Sequence, residues 1–450
     1  MQGAKSYSSL KFVRFKDIEK WSTYSLIESN ILFNDKYPLK SISKFLKRNK
    51  TKIDIEDDRI YKRPTVQLYG NGVKVRDKVY GKDIGTKKQF LIKEGQFIIS
   101  RIDARNGAFG IAGPELNNSI ATSDFPVFEI NKNEIIAEYF ELITHTEHFR
   151  DICRNESSGT TGRQRIKEKD FLNNKVPLPS LEEQEKIVSR YKEVVAKANE
   201  ATKKAINLEK EIEEYINSTL GIEIKKREIK KGLQFASFKD IEDWSVDSII
   251  GKKEVLRNKG YDIKKIGELC KIGSGGTPSR KKEEFYKNGS IPWLKTGEIR
   301  EEIIYDTEEK ITKIGLKQSS AKLYPKDSLV IAMYGATAGR SAKLGIEAST
   351  NQACAVLHQI DKSVVNTDFL WIYIQNEMKN IKDLASGSAQ PNLNAEKISN
   401  YEVVLPPLDT QDLIVEKVNN MRVEIENQTK ASASFHLEAI EEFKKTIFNL

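Results

Sequence analysis

Leu178-Pro179-Ser180-Leu181-Glu182-Glu183-Gln184-Glu185-Lys186-Ile187-Val188 returns later in the chain as Leu405-Pro406-Pro407-Leu408-Asp409-Thr410-Gln411-Asp412-Leu413-Ile414-Val415. Upstream of each copy a second phrase repeats. Phe15-Lys16-Asp17-Ile18-Glu19, followed by Trp21-Ser22, becomes Phe238-Lys239-Asp240-Ile241-Glu242, followed by Trp244-Ser245. The two offsets nearly agree, so the chain holds two copies of a unit of about 225 residues. In each copy a globular stretch runs into a proline and then into a long polar segment.

That segment decides the fold. From Leu181 to about Leu220 there is no proline, and no glycine. Apolar or small residues recur at Val188, Tyr191, Val195, Ala198, Ala201, Ala205, Leu208, Ile212 and Tyr215, with Glu and Lys between them. Steps of three and four leave a narrow seam, the pattern of a coiled-coil helix. The second copy answers with Ile414, Val415, Val418, Met421, Ile425, Leu437, Ile440, Phe443 and Ile447, weakened at Ser432-Ala433-Ser434. Two such helices at equivalent places predict mutual antiparallel pairing. At ~1.5 Å per residue, about 40 residues span roughly 60 Å. The expectation is a lobe at each end of a rod, related by an approximate two-fold axis.

The lobes read as mixed α/β. Phe90-Leu91-Ile92, Phe97-Ile98-Ile99-Ser100 and Phe125 to Ile130 are β-rich in the first, as are Leu329 to Tyr334 and Ala353 to His358 in the second. Helices are expected over Glu134 to Cys153 and Asp368 to Ala385, and strand-like phrases at Lys175 to Pro179 and Glu402 to Pro406. The fold class is therefore α+β: two globular domains, residues 1–180 and 233–407, separated by helical spacers at 181–232 and 408–450.

Composition excludes little and motifs exclude more. The 450 residues carry 74 Lys+Arg against 65 Asp+Glu, a net charge of +9, which permits a polyanionic partner without demanding one. Cys153, Cys270 and Cys354 are isolated, and His145 and His148 lack a third ligand nearby, so no metal is expected. The N-terminus shows no signal-peptide core, and no apolar run nears the ~20 residues that span a bilayer. The chain is expected in the cytoplasm. The glycine-rich Gly273-Ser274-Gly275-Gly276-Thr277-Pro278-Ser279 lacks the ending of a phosphate-binding P-loop. Pro406-Pro407 has leucine on both sides, where a DNA amino-methyltransferase needs Asn or Asp before and an aromatic after. No catalytic residue is expected.

What the lobes offer instead is polar, glycine-punctuated loops. Arginine can pair bidentately with guanine, and Asn or Gln with adenine, while hydroxyl and backbone N–H groups hold phosphates. The candidates for DNA contact in the first lobe are Arg101, Arg105, Asn106, Arg163, Gln164 and Arg165. In the second they are Thr277, Ser279, Arg280, Lys295, Tyr334, Arg340, Gln390 and Asn392.

These phrases carry a family likeness. The twinned Leu-Pro-Pro/Ser-Leu junctions resemble those of specificity subunits of type I restriction–modification systems. So do Gly276-Thr277-Pro278-Ser279, Ile291-Pro292-Trp293-Leu294 with Thr296-Gly297, Gly335-Ala336-Thr337 with Gly339, and Ser386-Gly387 with Gln390 and Asn392. Ile102-Asp103-Ala104-Arg105 leading to Gly107-Ala108-Phe109-Gly110 looks like another version of the same recognition domain. The resemblance implies a non-catalytic subunit that reads an asymmetric, split site in double-stranded DNA. It implies two methyltransferase subunits docked on the helices and motor–nuclease restriction subunits joining them. S-adenosylmethionine, ATP and Mg would belong to those partners, with no cofactor in this chain. Two other readings stay open: a self-contained DNA-modifying enzyme, and a coiled-coil adaptor with two protein-binding lobes.

Overall fold

Each proline-ended phrase folds into a short strand that closes its own repeat. In the computed structural model Lys175–Pro177 pairs antiparallel with Leu39–Ser41, and Glu402–Leu405 pairs antiparallel with Asp262–Lys265. The structure describes residues 33–155, 157–158, 165–225, 254–257, 260–383 and 393–448. The repeated phrases at Phe15 to Ser22 and Phe238 to Ser245 lie outside the described residues, as do Gly159 to Gln164 and Leu384 to Asn392.

The proline needs no N–H at a helix entrance, and each junction runs directly into a helix. The first long helix is Leu181–Leu220 and the second is Leu408–Ile447. The chain divides into two compact units at Ala201/Thr202 and Thr429/Lys430, so each unit takes one half of each long helix.

In unit 1, four antiparallel strands lie in the order Leu46–Arg48, Val127–Ile130, Phe97–Ile99, Phe109–Ile111. In unit 2 the order is Lys271–Ser274, Cys354–His358, Leu329–Ala332, Ser341–Leu344, again antiparallel. The fourth strand in sequence lies between the first and second in both. Unit 2 adds Ile303–Ile304 as a parallel edge strand. Smaller sheets cover each lobe. Unit 1 also has a hairpin, Ile60–Val66 with Val73–Tyr80, for which the described part of unit 2 has no counterpart.

Aromatic packing fills the core of unit 1, where Phe97, Phe128, Phe140, Phe149 and Phe171 are all buried and in ring contact. Each such burial contributes about 1.5–3 kcal/mol. In unit 2, Phe369, Leu370, Ile372 and Tyr373 of one helix pack with Leu329 and Ile331 of the sheet.

Two helical expectations need correction. Glu134 to Cys153 is two helices, Ala137–Thr144 and Glu147–Asn155. The Thr146 hydroxyl donates to the Ile143 carbonyl (2.7 Å) and accepts from the Phe149 N–H (3.2 Å), closing one helix and capping the next. Asp368 to Ala385 likewise divides into Thr367–Asn376 and Met378–Asp383. There Glu377 turns inward, its carboxylate accepting from the Tyr401 hydroxyl (2.5 Å) and the Asn380 amide (2.9 Å).

The seams also shift. Val194 is 1% exposed and fills the place expected for Val195. Leu437 and Ile440 are 64% and 42% exposed, whereas Ala439 and Phe443 are buried. In unit 1 the start of the first helix lies against the end of the second, with Arg190 Nε 3.0 Å from Glu442 Oε1. In unit 2 Ile216 and Leu220 of the first helix share a core with Ile414 and Val418 of the second. The second helix runs unbroken through Ser432-Ala433-Ser434.

The junction glutamines show how alike the copies are. Gln184 is fully buried. Its Oε1 accepts from the Ile136 N–H (2.8 Å), and its Nε2 donates to the carbonyls of Glu134 (3.1 Å) and Pro179 (2.9 Å). Gln411, also fully buried, accepts from the Asn366 N–H (2.7 Å) and donates to Val364 (3.1 Å) and Pro406 (2.8 Å). One side chain thus ties the helix entrance to the loop before the lobe's own helix, twice.

Candidate nucleic-acid interface

Strand register gathers the candidate loops. In unit 2 Ser274 ends its strand opposite Ala355, and Ala332 ends its strand opposite Cys354. The segments that follow, Gly275 to Arg280 and Met333 to Arg340, therefore leave the sheet at one edge. In unit 1 Arg48 lies opposite Phe128, and the Ile99 N–H bonds to the Pro126 carbonyl. The loop from Ser100 to Gly107 leaves the sheet at the corresponding edge.

In unit 1 the loop is held by its backbone. The Arg101 N–H donates to the Asp124 carbonyl (2.9 Å), and its own carbonyl accepts from the Ile166 N–H (3.0 Å). Arg165 Nη2 lies 3.2 Å from the Asp124 carboxylate, so Arg101 and Arg165 come together. Arg105 and Asn106 sit half-buried on the short helical turn Ala104–Asn106. Gly107 follows with φ +77°. A Cβ there would meet Arg150 Cδ at 2.9 Å and Tyr69 Cα at 3.2 Å, so only glycine fits. Arg163 and Gln164 lie outside the described residues.

Unit 2 builds a charged surface cluster. The Trp293 indole N–H donates to the Gly276 carbonyl (3.0 Å), and the Gly276 N–H donates to Thr350 (2.9 Å). A Cβ on Gly275 would fall 2.0 Å from the Asn351 carbonyl oxygen. Thus fixed, the loop exposes Thr277 and Ser279, the Thr277 hydroxyl bonding the Gln352 side chain. Arg280 lies over the rings of Tyr286 (4.4 Å) and Trp293 (5.1 Å) and reaches Glu309 at 2.5 Å. Lys295 meets Glu308 (2.9 Å) and the same Glu309 (3.0 Å). The Arg280 hydrogen bond, against a little burial and with help from Lys295, holds the Glu309 carboxyl below the usual carboxylate range. Pairing with Glu308 and Glu309 raises Lys295.

So the structure brings Thr277, Ser279, Arg280 and Lys295 together, but both cations already face carboxylates. Tyr334 (40% exposed) and Arg340 lie on the neighbouring loop around the helical turn Gly335–Thr337. Among the described residues Arg340 forms no ion pair. Gln390 and Asn392 lie outside the described residues. Leu393, just after them, donates to the Met333 carbonyl (3.2 Å), as Ile166 does to Arg101 in unit 1.

Sequence reading passed over the hairpin of unit 1. Its turn, Leu68–Gly70, lodges on the Arg101–Gly107 loop, the Gly70 N–H donating to the Gly107 carbonyl (2.9 Å). Tyr69 stands out at 65% exposure with φ +59°. The alternation Lys74-Val75-Arg76-Asp77-Lys78-Val79-Tyr80 was the available signal.

A family model described as type I restriction modification DNA specificity domain matches the chain twice, over residues 33–212 and 258–433. The chain belongs to this specificity family. Among its relatives is the MjaIX type I restriction enzyme specificity subunit of Methanocaldococcus jannaschii, 22% identical over 62% of this chain and 60% of that one. The HindI specificity subunit of Haemophilus influenzae is 24% identical over 75% of this chain and 82% of its own. The chain thus spans less than two thirds of the first of these relatives and most of the second. A chain solved in work on complex assembly and conformational transition of the type I R-M system superimposes with a TM-score of 0.58 at 14% identity. That match covers 92% of this chain and 97% of the other, and it shows the shared fold. Each family match takes in one α+β lobe with its junction glutamine, Gln184 in the first and Gln411 in the second.

Proposed function

We propose that this chain is the DNA-reading subunit of a type I restriction–modification complex, with each unit reading one half of a split, asymmetric site. One observation carries the reading. The loop after the second strand of the four-stranded sheet, Ser100 to Gly107 in unit 1 and Met333 to Arg340 in unit 2, leaves the same edge in both units, on unequal side chains. Like scaffolds with unlike loops suit two half-sites of different sequence. Arg101, Arg105, Arg165, Arg280 and Arg340 supply the bidentate donors and phosphate contacts that duplex DNA requires. Loops on rigid sheet edges place them reproducibly.

In this reading the chain itself performs no catalysis and holds no cofactor. Two methyltransferase subunits dock on the helical region and bring S-adenosylmethionine. Motor–nuclease subunits bring ATP and Mg, and the assembly works in the cytoplasm. Exchanging residues 1–180 for the matching segment of a relative should change one half of the methylated sequence and leave the other intact. Sequencing methylated DNA from cells carrying the hybrid decides the matter; a change in both halves would refute independent readers.

A further inference from the structure

The turn of the unit 1 hairpin carries a side chain that neither backbone preference nor packing explains. Tyr69 has φ +59° and ψ +31°, the left-handed conformation that glycine and asparagine adopt readily and bulky residues seldom do. Its ring gains little burial in return: Tyr69 is 65% exposed, and Leu68 beside it 39%. Among the described residues the Tyr69 hydroxyl has no hydrogen-bond partner, and its ring has no aromatic or cationic neighbour.

The turn is nonetheless held in place. The Gln67 N–H donates to the Gly72 carbonyl (2.9 Å), and Asn71 Nδ2 donates to the Leu68 carbonyl (2.8 Å). The Gly70 N–H donates to the Gly107 carbonyl (2.9 Å), and a Cβ on Gly70 would fall 2.7 Å from His145 Cδ2. Val66 and Val73, the strand pair that brackets the turn, are buried in one cluster with Ile98 and Ala108. Ile98 precedes the Ser100 to Gly107 loop and Ala108 follows it. Both ends of the turn and both ends of the candidate reading loop therefore share one core. The exposed ring is placed as firmly as the sheet edge.

Resting on the DNA-recognition reading above, we propose that Tyr69 is a base-reading side chain of unit 1, its ring set against the methyl group of a thymine in the major groove. Three features point to DNA rather than to a protein partner. Tyr69 stands beside the candidate reader: a Cβ on Gly107 would lie 3.2 Å from Tyr69 Cα, and Arg105 and Asn106 come just before Gly107. A two-stranded β-ribbon fits the major groove, which is about 12 Å wide. And the thymine methyl is the apolar group that this groove presents, matching the exposed Leu68 and Tyr69 at the tip. A ring fixed before binding also loses little freedom on binding. Unit 2 reaches a like arrangement by another route, since its exposed Tyr334 belongs to the Met333 to Arg340 loop itself.

The test uses the full chain assembled with its methyltransferase partner, on duplex carrying the methylated sequence found by sequencing. Exchange of residues 1–180 assigns one half-site to unit 1. Each thymine in that half is then replaced in turn by deoxyuridine, which removes the methyl and keeps every hydrogen-bonding group. The unmodified complex should lose about fourfold in affinity at one position, as expected for one methyl group returned to water. Tyr69→Ala should bind thymine and deoxyuridine equally there, whereas Tyr69→Phe should keep the preference. Should alanine lower the melting temperature, Tyr69→Asn, which suits the left-handed turn, gives the same comparison. Indifference of the unmodified complex to deoxyuridine at every position overturns the proposal, as does a preference that survives in Tyr69→Ala. Loss of methyltransferase binding by the alanine variant would make the tip a protein contact and overturns it too. Failure of the underlying reading looks different: the unmodified complex would show no sequence-specific binding, or the exchange would change both halves.

Discussion

Replacing Gln184 by alanine should unlock the joint between the first long helix and its lobe. The carboxamide is fully buried and makes three hydrogen bonds, to the Ile136 N–H and to the carbonyls of Glu134 and Pro179. At about 1 kcal/mol net per bond the loss is about 3 kcal/mol, and alanine also leaves a buried N–H without a partner. With 1.4 kcal/mol per factor of ten, protection of the Ile136 amide should fall roughly 100-fold. Hydrogen exchange read on peptides spanning 134–137 and 364–367 measures this. Gln411→Ala should do the same to the Asn366 amide while sparing Ile136. The variant Gln184→Glu adds a sign. An ionised carboxylate would face two carbonyl oxygens, so its folded pKa must rise above the ordinary ~4.3. The variant is then most stable when protonated, below about pH 4, and loses about 1.4 kcal/mol per pH unit up to the folded pKa. Unchanged exchange at Ile136, or equal loss at Ile136 and Asn366 from either substitution, would refute the reasoning.

Glu309→Gln removes the carboxylate shared by Arg280 and Lys295, and DNA binding by the assembled complex should tighten with a steeper salt slope, by up to about one per cation released. Because Glu309 is held below the usual range by Arg280, its pairing is complete above ordinary carboxylate pKa values and lost as pH falls through the depressed one. The variant's advantage should therefore shrink in acid; weaker binding would instead make Glu309 a base contact. Inserting about four residues near Ala201, one turn or ~6 Å of helix, should lengthen the unread gap in the methylated site by one or two base pairs at ~3.4 Å each. Mapping methylated sites checks it, and an active variant with an unchanged gap would remove the helix as ruler. Burial pushes Cys270 and Cys354 up to about 12, so neither should be alkylated at pH 8 until the chain is unfolded, as mass spectrometry would show.

Much of this molecule is legible from local pattern. The absence of proline and glycine after Leu181, with apolar residues at steps of three and four, sets a helix that runs from Leu181 to Leu220. The β-rich runs at Phe97, Val127, Leu329 and Cys354 each become a central strand. The duplicated junction marks both units, since a repeat in sequence becomes a repeat in packing. These properties depend on neighbours a few residues apart, which the sequence displays directly. Tertiary structure alone decided which charges meet and which faces are covered. Nothing near Arg280 in sequence shows that Glu309 would take its charge, because the pair forms only when Ile291–Leu294 and Lys310–Ile311 lie side by side. Leu437 and Ile440 fit a helical seam as well as Ala439 and Phe443 do. Which of them is buried depends on the surface opposite, and within unit 1 the packing covers Ala439 and Phe443. Gln184 and Gln411 stand among polar and charged neighbours in the sequence, yet each is buried by a loop more than forty residues earlier in the chain. Burial and charge pairing are non-local sums over the whole fold, whereas periodicity belongs to the segment that carries it.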